Sequence, residues 1–74
     1  MITERNAAIN GIIDHAVENA NLGYDDPKAC AERIMAMDDC DTQTKREAAK
    51  RLRSDLMPQP YCEDVAKLLI EWLN

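Results

Sequence analysis

Phenylalanine is absent from this chain, and its aromatic complement is one Trp and two Tyr. Sheet proteins lean on aromatic and β-branched side chains to pack their faces, so this scarcity speaks against a sandwich or barrel. Glycine occurs twice and proline three times, too few for the turn-rich connections of an all-β fold, and no glycine-rich phosphate loop can be drawn from them. Cysteine occurs three times, an odd number, with no Cys-x-x-Cys pair, and nothing at the start of the chain reads as a secretory signal. A reducing cytoplasm is therefore the expected setting. The longest apolar-dominated stretch, Val65 to Leu73, falls far short of the roughly 20 residues that span a bilayer, so no membrane partner is expected.

What remains is a chain of 74 residues, 46% apolar and 31% charged, the balance of a globular protein rather than a disordered one. That length predicts one helical domain. A core of this size rarely supplies more than about 3–5 kcal/mol net, so packing must be efficient or assisted. The net charge of −5 is unevenly spread: residues 1–40 carry eight acids against three bases, while residues 41–74 carry six of each. Such a field repels phosphate backbones and anionic membranes and attracts basic partners, although moderate acidity also serves solubility alone.

The apolar periodicity predicts an all-α bundle of four short helices, about 4–20, 27–37, 42–56 and 60–73. Thr3 is the expected cap of the first, with Ile9, Ile12, Ile13, Ala16, Val17 and Ala20 forming its inner face. Gly23 is a left-handed stop, and Asp26-Pro27 is a cap followed by proline at the first helical position. The second helix has a narrow stripe of Cys30, Ile34 and Met37, with Ala31 and Met35 on a second edge. Asp41 or Thr42 caps the third, whose inner face is read as Ala48, Ala49, Leu52 and Leu56, and Met57-Pro58-Gln59-Pro60 stops it. The fourth begins near Pro60 or Tyr61 and is apolar over more than half its circumference. A helix like that is either central to its own bundle or shared with a second chain. Since a fully central helix is hard to arrange in so small a bundle, Leu68, Ile70, Trp72 and Leu73 are candidates for self-association as a homodimer.

The chemistry-bearing constellations are sparse. Cys30, Cys40, Cys62 and His15 are ligand types that zinc prefers, but no two are spaced to share a helical turn, and Cys30 and Cys62 fall on apolar faces. His15 is read as pointing outward, flanked by Gly11, Glu18 and Asn19. The acids Asp38, Asp39 and Asp41 do not make a calcium loop, because counting from Asp39 the sixth residue is Thr44 rather than Gly and the twelfth is Lys50 rather than Glu. No nucleophile stands beside a base in the sequence pattern, so neither catalysis, a metal nor a cofactor is expected.

Two charged features remain. Lys45, Arg46, Lys50, Arg51 and Arg53 crowd the third helix, and Arg46, Lys50 and Arg53 follow i, i+4, i+7 spacing to form one stripe. Such a stripe could neutralise phosphates, but the aspartates before the helix would repel them, and Glu47 and Asp55 balance the cations. Nucleic-acid binding is thus a secondary expectation, and a structural or assembly subunit of a larger particle is another. The leading expectation is protein binding. The acidic residues Asp38, Asp39 and Asp41 and the basic residues Arg46, Lys50 and Arg53 would contact the partner, with Met35, Met37 and Met57 as adaptable contact area. In size and acidity the chain is similar to short proteins of mobile genetic elements that bind and block a host enzyme or complex. That similarity is one of composition and covers no motif.

Overall fold

The computed structural model describes residues 4–54 and 56–74. Thr3, expected as a cap, and Asp55, expected among the balancing acids, lie outside them. Four helices and no strand occur among the described residues: α1 (Glu4–Leu22), α2 (Pro27–Met35), α3 (Thr42–Leu52) and α4 (Tyr61–Leu73). None is long and apolar enough to cross a membrane.

The helix starts follow local chemistry. Asp26 accepts a 2.7 Å hydrogen bond from the Ala29 N–H, with Pro27 at the position where a missing N–H costs nothing. Of the two candidate caps for α3, Asp41 holds the position and accepts from the Thr44 N–H at 2.7 Å. Gly23, with φ +69°, stops α1 and donates to the Asn19 carbonyl at 2.8 Å. Only glycine takes that left-handed conformation without strain, and α1 runs on to Leu22 before it.

The ends of α2 and α3 come earlier than periodicity predicts. Helix α2 stops at Met35 rather than near residue 37. Asp38 and Asp39 would lie against the negative end of a longer helix, and the buried Lys45 instead delivers its ammonium to the Met35 carbonyl at 2.9 Å. Helix α3 stops at Leu52 rather than near residue 56. Arg53 and Ser54 tighten its last turn onto Lys50 and Arg51, and the Ser54 hydroxyl accepts from the Leu56 N–H at 3.2 Å. Serine side chains compete with helical bonding in this way. Leu56, expected on the inner face, is consequently 92% exposed.

Helix α4 is the centre of the bundle. It packs on α3, α2 and α1, and α1 also packs on α3. Cys62, Val65, Ala66, Leu69 and Leu73 are buried there with Ile9, Ile12, Ala16, Ala31, Ile34, Ala48, Ala49 and Leu52. The arrangement expected to be difficult is achieved with small residues. Ala16, Ala31, Ala48, Ala49 and Ala66 are all fully buried, and alanine at a contact lets helix axes approach closely, so short helices can wrap a central one. Most of the apolar surplus of α4 is therefore used inside the chain.

Candidate functional site

Helix α3 turns Ala48, Ala49 and Leu52 into the core, which leaves Arg46, Lys50 and Arg53 along the edge that borders α4. There they meet Ile70 and Asn74 around a groove of about 220 Å³. Arg46 is anchored: its guanidinium donates to the Leu73 carbonyl at 2.6 Å, closing the end of α4 where a cation is favoured by the helix dipole. Lys50 lies 3.6 Å from Glu47, both well solvated, a pairing of little strength that leaves the ammonium available. Ile70 is half-buried against the core and supplies an apolar wall. Residues expected to serve two purposes, a charged partner stripe and a self-association face, thus share one groove.

Leu73 does not belong to any outer face. It is buried in the core, which takes it out of the outer face where it was expected to serve self-association. Leu68 is half-buried, and Trp72, at 36% exposure, is the most open of the four residues expected there.

Asp38, Asp39 and Asp41 precede α3, with Asp41 about 7 Å along the helix axis from Arg46 and about 18 Å from Arg53 at about 1.5 Å per residue. They border a broad, shallow depression with Glu4, Arg5 and Cys40. Asp41 is committed to the fold as a helix cap and lies 3.6 Å from Arg5. Hydrogen bonds from Thr44 hold its carboxyl below the usual carboxylate range, with Arg5 adding a smaller effect. Burial raises the Cys40 thiol and the Asp39 charge raises it further. Acid at the start and base at the end of α3 both complement its dipole, so part of this charge pattern has a structural cause.

A polar cluster that the periodicity missed lies where α1, α2 and α4 meet. Asn19 is only 5% exposed. Its amide nitrogen donates to the His15 carbonyl at 3.0 Å, approaches His15 Nε2 at 3.2 Å and lies 3.9 Å from Cys30 Sγ. The Tyr61 hydroxyl donates to the Asp25 carbonyl at 2.8 Å. His15 is half-buried and lines a cleft, rather than pointing freely into solvent as expected. The signal was present, since Asn19 falls on the row of Ile12 and Ala16, and an amide on a core row needs partners.

Cysteine, histidine and asparagine in proximity can suggest acyl-transfer chemistry, but this geometry does not activate the thiol. Cys30 is fully buried, and burial pushes its pKa up by more than its polar neighbours Tyr61 and Asn19 lower it. A nucleophilic cysteine needs the reverse, a stabilised and accessible thiolate. The imidazole meets Asn19 rather than the sulfur. Cys62 is likewise raised by burial, and Tyr61 is raised by burial and then by Cys30. Among the described residues, no group of three or more His, Cys, Asp or Glu is disposed to hold a metal ion.

In comparisons with known proteins, no family model, no curated protein and no solved structure matched this chain.

Proposed function

We propose that this chain is a protein-binding module that acts stoichiometrically, as an inhibitor or adaptor, by receiving an acidic segment of a larger protein in the groove between α3 and α4. The observation that carries this reading is the convergence of Arg46, Lys50 and Arg53 on the flank of Ile70. Cations around an apolar centre are a common plan for a protein interface, in which the rim charges steer and orient the partner. The groove is smaller than the roughly 300–1,000 Å³ of small-molecule sites, and its size suits a side chain. The three thiols would stay reduced in the cytoplasm, the compartment this reading assigns.

The competing nucleic-acid reading draws on the same cations, but two of the five on this helix already have structural duties: Lys45 on the Met35 carbonyl and Arg46 on the Leu73 carbonyl. The test is affinity capture with the wild-type chain and with a Lys50→Glu, Arg53→Glu double variant. Both residues are exposed, so the fold should survive, which circular dichroism checks. A discrete partner held in equimolar amount by the wild type and lost by the variant is the expected result. Retention by the variant, or capture of nucleic acid alone, contradicts the reading.

A further inference from the structure

A second recess lies away from that groove, between α1 and α2. His15, Glu18, Asn19, Tyr24, Asp25 and Arg33 line a cleft of about 280 Å³. The ligand chemistry that fits it emerges once the groups already satisfied are set aside. Arg33 Nε lies 3.0 Å from an Asp25 carboxylate oxygen, so within the cleft those two charges offset one another. The Asn19 amide is fixed in orientation, because the His15 carbonyl can only accept and must therefore face its nitrogen. Its Oδ1 then takes no hydrogen bond among the described residues, and no buried side-chain oxygen is left without a partner. That oxygen therefore keeps contact with solvent, and Asn19 is one of the residues that line this cleft. Glu18 enters no ion pair among the described residues. The groups left over are an amide oxygen on an otherwise buried side chain, a free carboxylate and the ring of Tyr24.

We propose that this cleft binds a donor-rich cation, a guanidinium or primary ammonium group of the size of an arginine or lysine side chain. Asn19 Oδ1 accepts from it, Glu18 neutralises it and Tyr24 offers an aromatic face. The overall charge of −5 brings such a group toward the molecule. This site is independent of the α3–α4 groove, and either can fail without the other.

The test is a nuclear magnetic resonance titration of the full chain with Nα-acetyl-arginine methylamide, its neutral citrulline counterpart, agmatine and acetate. The expected result is saturable shifts at the Asn19 side-chain amide and the His15 ring with the arginine compound. Binding of the citrulline compound should be weaker by about tenfold or more. Replacing Asn19 puts the fold at risk, so the exposed Glu18 carries the mutational arm: Glu18→Lys should weaken arginine binding by a similar factor with an unchanged spectrum elsewhere. Preference for the acetylated arginine over agmatine assigns the site to a side chain of a protein, and the converse assigns it to a free cation. Absence of saturable shifts, equal response to citrulline, preference for acetate, or indifference to Glu18→Lys overturns the proposal.

Discussion

Lys45 is a base whose charge serves the interior. It is 8% exposed, and its ammonium completes the end of α2, a hydrogen bond from a charged donor to an otherwise orphaned carbonyl. Lys45→Met keeps the packing stem and deletes the bond, and should cost about 1–2 kcal/mol in urea denaturation. The thiols give a second expectation. Burial raises Cys30 and Cys62 and removes them from solvent, so iodoacetamide at neutral pH should label the native protein at Cys40 alone, slowly, and all three cysteines after unfolding, as read by mass spectrometry. Asp41 gives a third. Its folded pKa is depressed, so protons bind more tightly to the unfolded chain; its contribution is present above about pH 4 and lost as pH falls through the folded value. Denaturation at pH 6 and pH 3 should show that loss, and Asp41→Asn should flatten it. The cysteines were legible in the sequence because both lie on apolar rows. Lys45 and Asn19 were not, because periodicity treats every lysine and asparagine as solvated, although a long stem can lie along apolar surface and an amide can be satisfied indoors.

At the scale of elements, punctuation by Asp26-Pro27, Gly23 and Asp41 made all four helices readable, and the starts of α2 and α3 hold to the residue. The ends of α2 and α3 were misplaced because they depend on partners distant in sequence or on side chains that turn back on the backbone, and no helical period encodes either. The central place of α4 was also hidden, since apolar breadth alone does not say whether the covering surface belongs to the same chain. Two substitutions check the resulting packing. Leu69 is fully buried in α4, and Leu69→Ala should remove about 2–5 kcal/mol, comparable to the whole net stability of a bundle this small, so its circular dichroism should show a largely unfolded chain at moderate temperature. Leu56→Ala, at the position where α3 was expected to continue, should change stability by less than about 0.5 kcal/mol.

For the whole molecule, the design is a compact bundle in which aspartates precede α3 and bases run along it from Lys45 to Arg53, with a groove beside Arg46, Lys50 and Arg53. The stripe of Arg46, Lys50 and Arg53 could be read from spacing. Its neighbour Ile70 could not, because which helix borders the stripe is decided by topology. Lys50 and Arg53 should act mainly on the rate of encounter, so the affinity of the captured partner should fall with added salt, and the Lys50→Glu, Arg53→Glu variant should lose that dependence. The most direct measurement is hydrogen–deuterium exchange of the chain free and in complex with that partner. New protection is expected in the second half of α3 and in α4 from Ile70 onward. Protection confined instead to α1 and α2, or to the aspartates that precede α3, would contradict the proposal.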